Sequence, residues 1–171
     1  VAAAILGCIA LVLLGVMKPE DVYDSIDWHV IMLLAGVLPL GVAMQNSGAA
    51  ALIAHQTLEI FGHLGPLAML AEIYLLTPLP TEFMSNNGAA VLMSPLAIAT
   101  AQAIDSNPSA FLVAVIFAAS TSFATPVGYQ TNTMVYNAGG YRFTDFIRFG
   151  TPLVLVFWAV AVTFIPKFWP L

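Results

Sequence analysis

The sequence predicts an all-α polytopic membrane protein, and three observations predict it. Of the 171 residues 60% are hydrophobic and 8% are charged, whereas a soluble domain carries about 25% charged residues. Runs without Asp, Glu, Lys or Arg recur along the whole chain, at 1–17, 30–58, 86–104, 106–141 and 149–166, and roughly 20 mostly apolar residues suffice to cross a bilayer. The third observation is where polarity does occur: two short proline-containing knots interrupt otherwise apolar stretches. The net charge of −5 excludes a nucleic-acid partner, which asks for a basic face. The lone Cys8 sits in an apolar run and offers neither a disulfide framework nor a cysteine metal site. No nucleophile–base pair or metal-ligand spacing suggests an enzyme.

Taken in order, Val1–Met17 reads as one transmembrane helix. The chain starts on Val1, already inside an apolar run and without a basic leader region, which reads as a truncated start. The polar loop KPEDVYDSID leads to Trp28 at an interface. A second span over 30–45 is made irregular by Gly36, Pro39 and Gly41. Over 49–63, His55, Glu59 and His63 recur every four residues opposite Leu52, Ile53, Ile60 and Phe61. That is an amphipathic helix lying along the membrane plane, and its His/Glu row reads as a solvated face rather than a metal triad. His29 reads as an interfacial residue.

The segment 65–104 has an apolar arm carrying Glu72, then TPLPTEFMSNNGA, then a second apolar arm. The polar knot sits either in water between two full spans or at the tip of a re-entrant hairpin, where irregular backbone must be buried in protein or line a cavity. The segment 109–140 is too long for one straight span. Pro126 lacks an N–H and clashes with the preceding turn, so a broken helix is expected there. A basic loop leads to the last span, within 145–168, which ends beside Trp169. Counting crossings puts Lys18, Arg142 and Arg148 on one face and Lys167 on the other. The excess of basic residues makes the shared face cytoplasmic and places the C-terminus outside.

Two interrupted apolar segments are a sequence pointer to a transport site. Asn86 reads as an N-cap of the second hairpin arm, with Asn87 and Gly88 beginning it. Thr125 followed by Pro126 reads as N-cap and first helical residue. Each helix N-terminus carries about half an elementary charge and free N–H groups, so two of them aimed at one point make an anion site without a basic side chain. The oxygens of Thr81, Ser85 and Asn86, with carbonyls freed by the breaks, suit a hard cation such as Na⁺. Glu82, amid N–H-rich neighbours, reads as an acceptor that orients the hairpin tip, with a proton-carrying role as the alternative. Glu72 is left open.

The runs DWHVIMLLAGVLPLGVAMQNSGAAALIA, TEFMSNNGAAVLMSPLAIA and SFATPVGYQTNTMVYNAGGYRFTDFIRFGTPL resemble, in order and over essentially the whole chain, the divalent-anion:sodium symporter family of citrate-transporter-like permeases. They resemble its C-terminal repeat. The continuation after Pro126 is similar to a subgroup associated with sulfate transport and sulfur sensing. The resemblance implies one half of an inverted-repeat transporter with a re-entrant hairpin at 65–104 and a broken helix at 109–140. It further implies a homodimer in a bacterial inner membrane, completed by an N-terminal repeat of the same chain. Movement is expected to be elevator-like, with residues 1–47 as scaffold, 48–64 as interfacial arm and 65–171 as transport half.

Carried over residue by residue, the resemblance makes Ser85, Asn86, Asn87, Thr125 and Pro126 substrate-facing. It makes Thr81, Asn86 and the backbones of Met84 and Ala124 sodium ligands. Asn87 departs from the family's usual threonine and presents amide N–H donors to an oxyanion instead. The expected activity is sodium-coupled symport of a divalent anion, sulfate or a small dicarboxylate. A transporter-like sulfate sensor and a proton-linked antiporter stay open as alternatives.

Overall fold

A computed structural model of the protein describes residues 2–24 and 26–171, and in it the side chains of Pro19, Val22, His29 and Val30 lie outside the description, as do the expectations for Val1 and His29. Among the described residues every regular element is helical, as the charge-free runs require. The chain divides into two compact units, Val1–Leu33 and Leu34–Leu171.

In the first unit, α1 (Ala2–Leu13) and α2 (Pro19–Asp24) precede the start of α3 (Trp28–Asn46). The expectation of one helix through Met17 is corrected. Gly15 adopts φ +69°, its N–H bonds the Val12 carbonyl at 3.0 Å, and the Val16 N–H bonds the Leu11 carbonyl at 3.0 Å. This pair is the Schellman termination, in which a left-handed glycine satisfies the last carbonyls and turns the chain away. Glu20 and Asp21 in the first turn of α2 meet the positive end of its dipole.

In the second unit, α3 continues to Asn46, and α4 (Ala49–Phe61) follows, extended by a 3-10 turn at Gly62–Leu64. The stretches Ile31–Asn46 and Ala49–Leu64 bend by 64° at their junction, where Gly48 supplies φ +75°. On α4, Ala50, Ala54 and Thr57 are buried. His55 and Glu59 are exposed and 3.9 Å apart, so that row is an outward face of the helix. Thr57, a polar residue between His55 and Glu59 in sequence, is buried instead.

The remaining helices are α5 (Pro66–Leu76), α6 (Pro78–Thr81), α7 (Asn86–Ala103), α8 (Pro108–Ala119), α9 (Gln130–Gly139) and α10 (Phe143–Phe168). The core lies where α8 packs against α5, α7 and α10. Ala110, Phe111, Ala114, Val115 and Ala118 form its α8 side, against Met69, Leu70, Ile73, Tyr74, Leu96 and Ala97. Those α8 positions recur every three to four residues, one face of a helix. Ile116 and Phe117 face outward.

Pro95, inside α7, has no N–H for the Val91 carbonyl. A Cβ at Gly41 on α3 would stand 3.4 Å from the Pro95 ring and 3.7 Å from that carbonyl, ordinary contact distances, so this part of α3 lies beside the gap. The 26-residue α10 is the one helix among the described residues long and apolar enough to cross a membrane by itself. Trp158 fastens it to α5 by donating Nε1–H to the Ala71 carbonyl at 3.0 Å.

Candidate functional site

The first knot folds around its prolines and hydroxyls. α5 ends at Leu76, and the buried Thr77 returns its hydroxyl to the Ile73 carbonyl at 2.7 Å. α6 then makes a single turn, and Glu82–Met84 lead into Ser85. Ser85 has extended φ −63°, ψ 149°, and its Oγ accepts the Gly88 N–H at 3.1 Å. The N-cap of α7 is therefore Ser85, not Asn86 as the sequence suggested. The Asn86 carboxamide oxygen is engaged elsewhere.

The second knot also differs from expectation. α8 stops at Ala119, and the next helix starts at Gln130, not at Pro126. The Thr125 Oγ1 does accept the Gly128 N–H at 3.1 Å, which is cap geometry. The turn is not continued because Tyr129 is extended, at φ −145°, ψ 144°. The non-helical segment between is held by side chains. Asn132 donates its amide to the Ser122 carbonyl at 2.7 Å and to the Thr125 carbonyl at 3.0 Å. Thr133 donates its hydroxyl to the Pro126 carbonyl at 2.7 Å. Backbone groups released by a break need such partners when water is excluded.

The two knots meet. The Thr81 hydroxyl, fully buried, lies 2.9 Å from Asn86 Oδ1 and 2.8 Å from the Ala119 carbonyl. The Ser122 hydroxyl, also buried, points at the same Asn86 Oδ1 from 3.3 Å. Thr81 has one proton for two acceptors, so when it serves Ala119 its lone pairs join the Asn86 and Ser122 oxygens. The result is a cluster of oxygens with few protons among them, at the end of α8 and the start of α7. Beside it, Glu82 joins the same two segments. Its Oε1 accepts the Ala124 N–H at 3.0 Å and its Oε2 accepts the Thr125 hydroxyl at 2.7 Å.

Of the residues singled out in the sequence, Thr81 and Asn86 thus share one cluster, while Ala124 and Thr125 are tied to Glu82. Ser85 is occupied in its own cap. Met84 and Asn87 are exposed and Pro126 is buried. Ser122, Asn132 and Gly128 escaped sequence reasoning. Their signal was their density within the charge-free run 120–132, which gives no ranking among eight hydroxyl and amide side chains. A packed last helix also shapes the site. A Cβ at Gly150 on α10 would collide with the Phe123 carbonyl group and reach 2.9 Å from the Ala124 Cα. Glu72 stands apart, on α5, with its Oε2 buried and without a hydrogen-bond partner.

The sequence that forms these interrupted helices is matched by known proteins. A family model described as "Citrate transporter" matches residues 1–171. The chain belongs to the citrate transporter family. Within it, the chain is 53% identical to an uncharacterized transporter of Synechocystis over 150 residues, 88% of this chain and 24% of that protein. It is 37% identical to a putative sulfur deprivation response regulator of Chlamydomonas reinhardtii over 147 residues, 86% of this chain and 25% of that protein. It is 34% identical to sodium/sulfate cotransporter 1 of the same alga over 150 residues, 87% of this chain and 17% of that protein. The chain therefore spans about a quarter or less of the length of these relatives.

Proposed function

We propose that the full protein is a secondary active transporter that couples sodium entry to the movement of a divalent anion, sulfate or a small dicarboxylate. The observation that carries the reading is the oxygen cluster of Thr81, Asn86, Ser122 and the Ala119 carbonyl, formed where two interrupted helices meet. Oxygens of this kind, from hydroxyls, amides and carbonyls freed by helix breaks, hold Na⁺ in transporters of broken-helix design. The similarity to a protein named a sodium/sulfate cotransporter supports the same cargo.

In this reading Thr81 and Asn86 contribute side-chain oxygens to the cation, and Met84 and Ala124 contribute backbone carbonyls. The anion sits over the N-terminus of α7, with Ser85, Asn86 and Asn87 and with the Thr125–Pro126 turn. That helix end favours negative charge through its dipole and its unpaired N–H groups. The start of α9 at Gln130 removes a second helix N-terminus from Thr125, so more of the anion's charge is balanced by the co-bound cation. The segment 65–104 is then a re-entrant hairpin and 109–140 a broken transmembrane helix. Both belong to a mobile half (65–171) that shifts against a scaffold (1–47) through the arm (48–64) in an elevator-type movement. An N-terminal inverted repeat completes the site, the protein works as a homodimer in a bacterial inner membrane, and its C-terminus faces outward.

The test is uptake of labelled sulfate and labelled succinate by the full-length protein in proteoliposomes, with and without an inward sodium gradient. Sodium-dependent accumulation of either is expected, and the preferred label identifies the cargo. Accumulation that ignores sodium and follows a pH gradient would replace this reading with proton coupling. A second reading has one observation in its favour, the similarity to a protein named a sulfur deprivation response regulator. Saturable sulfate binding without accumulation would select that sensor role.

A further inference from the structure

We infer that Glu82 is a positioning residue whose carboxylate locks the hairpin tip to the break between α8 and α9, fixing the Ala124 peptide on which the cation site closes. The inference rests on the cation cargo proposed above and assigns a function to a buried acid outside the ligand set.

Glu82 is 8% exposed. Along the chain it sits directly after Thr81 and four residues before Asn86, so it is rooted in the oxygen cluster. Across space it holds the other segment at two adjacent points, the Ala124 N–H at 3.0 Å and the Thr125 hydroxyl at 2.7 Å. Those two donors flank the Ala124 carbonyl. Fixing both sides of it leaves that carbonyl little freedom to turn. The Thr125 hydroxyl in turn accepts the Gly128 N–H at 3.1 Å, so a chain of donors runs from Gly128 through Thr125 into Glu82. Such chains strengthen one another where water is excluded.

The surroundings are cut to this carboxylate. A Cβ at Gly128 would stand 2.8 Å from Glu82 Oε2 and 2.9 Å from the Ser122 Cβ. Glycine at 128 therefore keeps open the space that the carboxylate and Ser122 occupy. Both oxygens of Glu82 act as acceptors from the far segment. A glutamine of the same size has one oxygen and one amide group, and it can serve only one of the two donors.

The experiment uses purified full-length protein and follows its unfolding temperature across a NaCl series, with choline chloride holding ionic strength. Wild type, E82Q, T125V and the double variant are compared. We expect E82Q to need about tenfold more sodium for half-maximal stabilisation, the loss of one charge-assisted hydrogen bond expressed as affinity. T125V removes the Oε2 donor together with the acceptor of the Gly128 N–H and should shift the midpoint in the same direction. The double variant should unfold little below the worse single variant, because both remove one interaction. An unchanged sodium midpoint in E82Q, or losses from E82Q and T125V that simply add, overturns the inference. If E82Q is not recovered folded, T125V carries the midpoint test, with an unchanged midpoint as the adverse result. If wild type gains no stability from sodium, the cation cargo fails and the cation part of this inference with it. The coupling between E82Q and T125V in choline then still decides whether Glu82 locks the two segments.

Discussion

Replacing Thr81 by valine separates two things that its hydroxyl does. The side chain is fully buried, and valine keeps its shape while removing the one proton. The nearest acceptors are the Ala119 carbonyl at 2.8 Å and Asn86 Oδ1 at 2.9 Å. Asn86 retains the Ser122 hydroxyl at 3.3 Å, so the unsatisfied group in T81V is the Ala119 carbonyl. That carbonyl belongs to the last turn of α8, where no intrahelical donor exists. Leaving it unpaired should cost about 1–2 kcal/mol, with no cavity contribution because the volume is unchanged. T81S keeps the proton and loses only a methyl group. The assay is thermal unfolding of the purified full-length protein, repeated with and without sodium. We expect T81V to be destabilised and to respond weakly to sodium, and T81S to keep the sodium response. A T81V protein with wild-type stability in the absence of sodium would refute the assignment of the hydroxyl to the Ala119 carbonyl. A full sodium response in T81V would refute its part in the cation site.

Three further outcomes follow from the packing. Asn86→Ala should abolish sodium-dependent uptake while leaving protein in the membrane at normal levels, as read by transport and quantitative blotting in parallel. Gly150→Ala drives a Cβ into the Phe123 carbonyl group. Backbone cannot yield cheaply, so unfolding should be easier by at least about 1–3 kcal/mol and transport should fall with it. His55→Ala and Glu59→Gln remove an exposed pair at 3.9 Å, and each should change stability by less than about 1 kcal/mol.

Much of the helical plan was legible because it is written in hydrophobicity. The charge-free run at 149–166 marked the core of α10, and the four-residue recurrence in 49–63 marked α4. Boundaries were less legible, even where a residue with special backbone freedom sets them. Gly15 ends α1 four residues before the expected end because a left-handed glycine outweighs the apolar residues that follow it. Nothing in the hydrophobic pattern registers that competition. The burial of Thr57 was invisible for a related reason. A threonine beside a polar row is placed by a few degrees of helix phase, which a thirteen-residue helix does not specify from sequence alone.

The candidate site shows a sharper limit, and it concerns hydrogen-bond choice rather than helix propensity. At the hairpin tip, Ser85 and Asn86 are both good N-caps by residue type. Ser85 takes the cap, and this releases the Asn86 carboxamide to receive Thr81 and Ser122 from outside the helix. At the break, Thr125 and Pro126 have the composition of a helix start, yet the Thr125 hydroxyl donates to Glu82 and the chain stays irregular for four more residues. In both places contacts between segments some forty residues apart decide what a local capping preference worth about 1 kcal/mol leaves open. A sequence can reveal that such polar groups lack water and must find partners. Which partners they choose is decided by the tertiary approach of α7 and α8. In this protein that approach turns two ordinary helix ends into a junction where oxygens outnumber the protons available to them.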